Sequence, residues 1–325
     1  MDLEVTFIGT AGSLPTPRRG LSSLLIHRGG QRILVDCGEG TQRQLMQSAG
    51  LHDLDLICLT HMHADHTLGL PGMLKTFGLR EREAPLTIIG PPGLRALFNV
   101  LQPLIGRQSY AIDLHEVADG VAWEGDGYVI DAIPTDHTVR SIAFRLREHD
   151  RPGIFDVEQA VRLGVPAGPL FGRLQRGDSV TLDDGTTVQP SQVLGEHRSG
   201  RTIVYSGDTR PSNVLRDAAR EATLLIHEAT FLAEDAQRAH ETGHSTARDA
   251  ALIAAAANVT MLALTHISTR YFVRDIVAEA RAIMPDCIVP RDFDRIILPY
   301  PERGVPVHEH APSEQAPRST VVVPG

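Results

Sequence analysis

Residues 60–66 read THMHADH, three histidines and an aspartate within seven positions, directly after the apolar run LDLICL at 54–59. An apolar run of that length predicts a buried strand, and the end of a strand is where an α/β sheet usually carries its site. On an extended segment, side chains two apart point to the same side, so His61 and His63 share a face while Asp65 and His66 follow as the chain turns. One loop can thus serve two ions. Imidazole and carboxylate donors suit zinc, with manganese or iron also accepted. Chance would produce this spacing about two times in a thousand chains of such composition.

Seven residues cannot complete two metal shells, which directs attention to other ligating side chains at strand ends. His137 in AIPTDHTV, Asp208 in VYSGDTR and His266 in LALTHIS each follow an apolar β-like run. Around them the chain alternates strands and helices. LEVTFIGT opens as a strand, SSLLIHRG and RILVDCGEG form two more about the turn GGQ, and TQRQLMQSAG is a short helix closed by Gly50. Helices are predicted in GLPGMLKTFGLRER, GLRALFNVLQPLI and the alanine-rich STARDAALIAAAANV, with a last one near 273–284. Residues 148–200 change texture, being rich in Gly, Pro, Arg and Asp with few periodic apolar positions, and read as an insertion projecting from the core. From 301 to 325 the Pro, Glu and Ser bias predicts a disordered tail.

The 325 residues are 42 % hydrophobic and 22 % charged, ordinary globular values. A formal charge of −9 argues against holding nucleic acid by bulk electrostatics and leaves a local basic surface as the alternative. Lys75 is the one lysine, so positive charge is nearly all arginine, whose planar fork grips phosphate bidentately. Cys37, Cys58 and Cys287 show no CxxC pairing and suggest neither a disulfide framework nor a thiolate zinc site. No segment is apolar enough to span a bilayer and the N-terminus enters a strand at once, which predicts a cytoplasmic protein.

HxHxDH with spaced His, Asp and His resembles the metallo-β-lactamase fold, and SGDTR, HEAT at 227–230, HST at 244–246, THIS at 265–268 and the GP-containing insertion around Gly168 and Pro169 resemble the ribonuclease Z family. The resemblance runs from Leu3 to about Leu298. It implies an α/β fold, an αββα four-layer sandwich forming one catalytic domain over 1–300, with a flexible substrate-binding arm at about 150–190. It further implies two divalent ions per subunit, most readily zinc with manganese as the alternative. His61, His63 and His137 would hold one, Asp65, His66 and His266 the other, and Asp208 would bridge them. The implied reaction is removal of the 3′ trailer from precursor tRNA by phosphodiester hydrolysis, leaving a 3′-hydroxyl on the tRNA and a 5′-phosphate on the trailer. A homodimer is implied as well, one subunit's arm holding RNA beside the other's site.

Two ions about 3.5–4 Å apart can activate a water and stabilise charge on phosphate oxygens, which leaves Asp65 as general base and requires an acid for the departing sugar oxygen. The family pattern assigns that role to His244, with Glu228 as its partner. Read alone, HST is equally a Ser/Thr-capped helix start and Glu228 a solvated loop residue. Arg19, Arg173, Arg176 and Arg270 are candidate phosphate contacts. The family's N-terminal loop reads PxKxRN, whereas this chain has PTPRRG at 15–20, keeping Pro15 and Arg19. Competing readings are a general small-molecule or cyclic phosphodiesterase of the same fold and a metal-stabilised RNA-binding protein without turnover.

Overall fold

The structure, a computed structural model, describes residues 1–51 and 53–312. Six strands come first: β1 (Leu3–Gly9), β2 (Ser23–Arg28), β3 (Gln31–Val35), β4 (Leu56–Cys58), β5 (Leu86–Gly90) and β6 (Ile112–Glu116). Interleaved with them are α1 (Thr41–Gln47), α2 (Ala64–Thr67), α3 (Leu70–Leu79) and α4 (Leu94–Ile105). Then follow β7 (Gly120–Gly125), β8 (Tyr128–Pro134) and β9 (Ile142–Glu148). After the insertion come β12 (Thr202–Tyr205), β13 (Leu224–Glu228), β14 (Leu262–Thr265), β15 (Arg295–Ile297) and β16 (Val307–Glu309); the insertion itself carries β10 (Val180–Thr181) and β11 (Thr187–Val188). The remaining helices are α5 (Val157–Arg162), α6 (Pro169–Gln175), α7 (Asn213–Ala218), α8 (Ala236–Thr242), α9 (Ala247–Ala256) and α10 (Val273–Arg281).

Among the described residues the core unit carries two sheets, ordered β16-β15-β1-β2-β3-β4-β5-β6 and β14-β13-β12-β9-β8-β7, and β10 pairs with β11 in a small one of the insertion. Strands β3 to β6 run parallel, as do β12 to β14. Side-chain alternation then dictates the layers. Phe7, Ile26, Val35 and Cys58 of the first sheet pack with Ile130, Phe144, Ile203, Tyr205 and Ile226 of the second. The opposite faces look outward to helices: Leu25, Leu34 and Ile57 meet α1, α3 and α4, while Val204, Leu225 and Leu264 meet α7, α9 and α10. This is an αββα sandwich. On α9 the face against the second sheet is Ala247, Ala250, Ala251 and Ala254, all fully buried, so the helix fits where larger side chains would not.

Residues Arg147–Arg201 form a compact unit of their own, close to the 148–200 set apart by composition, wider than the arm of about 150–190 that the resemblance implies, and less irregular than either reading. Its small core is Ala160, Val165, Leu174, Val180, Val188 and Val193, with the Phe155 and Phe171 rings 5.0 Å apart. Its ends are paired, because Arg151 and Arg198 exchange backbone hydrogen bonds of 2.8 and 2.9 Å. The apolar positions are too widely spaced to show periodicity, which is why the sequence hides this core.

The expected disordered tail from 301 to 325 needs correction over its first part. Residues 307–309 form β16, antiparallel to β15 with Val307 opposite Ile297. A three-residue strand on an existing sheet edge needs backbone partners more than hydrophobicity, so compositional bias does not detect it. Residues 313–325 lie outside the described residues.

Overpacking α9 should be costly. Ala251→Leu is expected to lower stability to urea by about 1–3 kcal/mol, whereas Leu252→Ala, on the exposed side of the same helix, should change it by less than about 0.5 kcal/mol.

Candidate active site

The ends of β3, β4, β8, β12, β13 and β14 deliver Asp36, the 60–66 loop, His137, Asp208, Glu228 and His266, all on the core unit. Every metal-ligating side chain expected from the sequence is brought into one cluster. His63 Nδ1 lies 3.1 Å from His61 Nε2 and 3.2 Å from His137 Nε2. Asp65 Oδ2 lies 3.3 Å from His266 Nε2 and 3.7 Å from His66 Nε2. Asp208 Oδ2 faces both sets, at 3.7 Å from His61 Nε2, 3.5 Å from His66 Nε2 and 3.4 Å from His266 Nε2.

Hydrogen bonds on the far side of each ring fix which nitrogens are bare. Thr60 Oγ1 spends its proton on Asp36, so it can only accept from His61 Nδ1 at 3.0 Å. His66 Nδ1 donates to Asp36 Oδ2 at 2.8 Å and His137 Nδ1 to the Gly243 carbonyl at 2.6 Å. Thr230 Oγ1 donates to Glu228 and therefore accepts from His266 Nδ1 at 2.7 Å. The Nε2 atoms of His61, His66, His137 and His266 thus face the cluster as lone pairs. Lone pairs cannot satisfy one another. His66 Nε2 and Asp208 Oδ1 are buried without hydrogen-bond partners among the described residues, and buried polar atoms are rarely left so. Divalent cations fit this donor set. The buried carboxylates and the far-side acceptors also supply the orientation that metal-binding histidines require.

Charge balance agrees. Burial pushes the His61, His63 and His137 imidazoles below their ordinary range, toward the neutral form that binds metal. Burial would do the same to His66, but Asp208 and Asp36 on either side push it well up: the surroundings demand positive charge, as a proton or as a cation. Burial opposes ionisation of Asp208 and Asp65, yet the neighbouring histidines hold both carboxyls low. A further constraint comes from β1's loop, where Ser13 N–H donates to Asp65 Oδ2 at 2.9 Å. A Cβ on Gly12 would sit 2.5 Å from His266 Nδ1, so that loop lies directly against the cluster.

Glu228 is buried, not a solvated loop residue. It accepts from Thr209 N–H at 2.8 Å, from Thr230 and from His244 Nδ1 at 3.0 Å. These three donors fix the Glu228 carboxylate beside His244. His244 is desolvated, which alone would lower it, but Glu228 raises it to about 9. Thr246, two residues on, does cap α9 by accepting from Asp249 N–H, so HST is both a helix start and the mount for His244.

Asp36, Thr60, Tyr205 and Thr230 were not singled out from the sequence. Asp36 carries the signal shared by Asp208 and His266, an abrupt polar residue after an apolar strand. Tyr205, which donates to Asp36 Oδ2 at 3.2 Å, has no such signal. Arg19 departs from the expected phosphate contact: its guanidinium donates to Thr10 Oγ1 at 2.6 Å and to the Pro290 carbonyl at 2.8 Å, which ties down the 13–20 loop. Arg173, Arg176 and Arg270 are exposed, with Arg173 Nη2 donating to the Ser179 carbonyl at 3.3 Å.

Asp36→Asn is expected to weaken metal affinity about 10–100-fold, read by competition with a chromogenic chelator, because His66 loses its carboxylate partner.

Residues 16–155 match the metallo-beta-lactamase superfamily model. Ribonuclease Z of Haloferax volcanii is 45 % identical over 305 residues, 92 % of this chain and 96 % of that protein. Ribonuclease Z of Natronomonas pharaonis is 45 % identical over 307 residues, 93 % of this chain and all of that one. Among solved structures, human tRNase Z, short form, superposes with a TM-score of 0.67 at 26 % identity, covering 91 % of this chain and 99 % of that one. With the fold, the clustered ligands and these relatives in agreement, the chain belongs to the ribonuclease Z family of the metallo-β-lactamase superfamily.

Proposed function

We propose that this protein is a metal-dependent endoribonuclease that removes the 3′ trailer from precursor tRNA, leaving a 3′-hydroxyl on the tRNA and a 5′-phosphate on the trailer. The observation that carries the reading is the Glu228–His244 pair beside a complete set of ligating side chains, in a chain whose full-length relatives are named ribonuclease Z. His61, His63 and His137 would hold one divalent ion and Asp65, His66 and His266 a second, with Asp208 placed to serve both sets; zinc suits these donors best, and manganese is compatible. When bound, such a pair polarises phosphate oxygens and makes water a better nucleophile.

The chain's own residues supply the proton movements. Asp65, oriented by the Ser13 N–H, accepts the proton of the attacking water. His244 gives a proton to the departing sugar oxygen. Its Nδ1 is committed to Glu228, which leaves Nε2 to deliver the proton, and the carboxylate partner keeps the ring protonated at neutral pH. Glu228 therefore positions the acid and, through Thr230, orients His266.

For the RNA, the arm within Arg147–Arg201 offers Arg173 and Arg176, and the core offers Arg270, as phosphate contacts that position without reading sequence. Arg19 serves recognition indirectly by holding its loop. A homodimer in which one arm serves the partner's site, located in the cytoplasm, completes the reading; the three cysteines are unpaired, and no helix of the described residues is long and apolar enough to cross a membrane. A small-molecule phosphodiesterase of the same fold is not favoured, since the matched relatives are named for ribonuclease activity.

His244→Ala should reduce precursor tRNA cleavage by about 10²–10⁴-fold while metal content stays at the wild-type level; unchanged turnover would remove His244 from the mechanism. Replacing residues 152–197 by a short Gly-Ser link across the Arg151–Arg198 pairing should weaken cleavage of precursor tRNA at least about tenfold more than hydrolysis of a chromogenic phosphodiester. Equal losses on both substrates would make the unit structural.

A further inference from the structure

We propose that His308, His310 and Asp294 form an additional transition-metal site that fastens the C-terminal strand to the sheet edge. None of the three belongs to the ligand set above. The two histidines are two apart along β16 and its end, so both rings leave the same face, with centroids 4.4 Å apart and 66° between planes. Both converge on one atom: Asp294 Oδ2 lies 2.9 Å from His308 Nε2 and 3.1 Å from His310 Nδ1.

That oxygen is a point of convergence. Arg291 N–H donates to it at 3.0 Å, so three nitrogens surround the one oxygen. With the imidazoles neutral, each of these two nitrogens and the carboxylate oxygen can offer an electron pair to one shared cation. Tetrahedral zinc with bonds of about 2.0–2.1 Å places neighbouring ligand atoms about 3.3 Å apart, within a few tenths of an ångström of both contacts.

The carboxylate is prepared for the task. Asp294 is 1 % exposed and its other oxygen accepts from Ala311 N–H at 2.9 Å, which fixes its orientation from the far side. The His310 side chain is 70 % exposed, so the remaining coordination position opens to water. Three protein ligands and one solvent position make a site of zinc type, occupied reversibly and with lower affinity than the buried cluster.

The test uses untagged full-length protein titrated with zinc chloride, with bound metal counted after equilibrium dialysis. His310→Ala removes an exposed side chain and His308→Ala removes its neighbour. Wild type should bind one equivalent more than the double variant H308A/H310A, and each single variant should weaken that equivalent at least about tenfold. Zinc should also slow amide exchange in residues 307–309 of wild type and not of the double variant. Equal stoichiometry in wild type and double variant would overturn the proposal. Because the comparison is between variants, it is independent of how many ions the buried cluster holds and of nuclease activity.

Discussion

Four imidazole lone pairs held facing one another are the constraint on which the rest of the structure depends. Each ring is fixed from behind, by Thr60, Asp36, the Gly243 carbonyl or Thr230, so none can turn away to find a partner. A buried polar group without a partner costs about 1–3 kcal/mol, and a cluster of them accumulates that cost. Cations convert the same arrangement from a liability into binding energy that contributes to folding. The precise site and the stability of the core are therefore one problem with one solution.

Neither sheet could build the site alone. The first contributes the 60–66 loop and Asp36, the second His137, Asp208, Glu228 and His266, and the apolar layer between them sets their separation. A backbone hydrogen bond from Ile142 N–H to the Thr60 carbonyl at 2.9 Å ties the motif loop directly to the opposite sheet. Gly207, with φ of +56°, allows the Asp208 turn to come close: a Cβ there would stand 2.9 Å from that of Thr60. Shape complementarity inside the sandwich thus becomes coordination geometry at its edge.

The clustered histidines and carboxylates were legible in the sequence because they follow the ends of apolar runs, and because HxHxDH spacing is hard to produce by chance. The alternating strands followed from the same apolar runs, whereas the αββα layering came from the family resemblance that the motifs carry. What stayed hidden was made of long-range partners. Tyr205 reaches Asp36 across 169 positions, and no local pattern records such a contact. Arg19 looked like a phosphate contact because its charge was visible and its partners, Thr10 and Pro290, were not. The core of the 147–201 unit and the strand at 307–309 were missed for a related reason: a few apolar residues or a few backbone bonds suffice when neighbours distant in sequence complete them.

That last strand has a consequence for how the protein behaves in a crowded solution. Without β16, the outer side of β15 would present a row of unpaired amide and carbonyl groups, a template on which another chain could add a strand. β16 is three residues long, carries Glu309 paired with Arg295 at 2.7 Å, and is followed by Pro312. Short, charged and soon followed by a proline, it closes the sheet against indefinite growth, so loss of the C-terminal segment would expose an aggregation-prone edge before it affected the metal cluster.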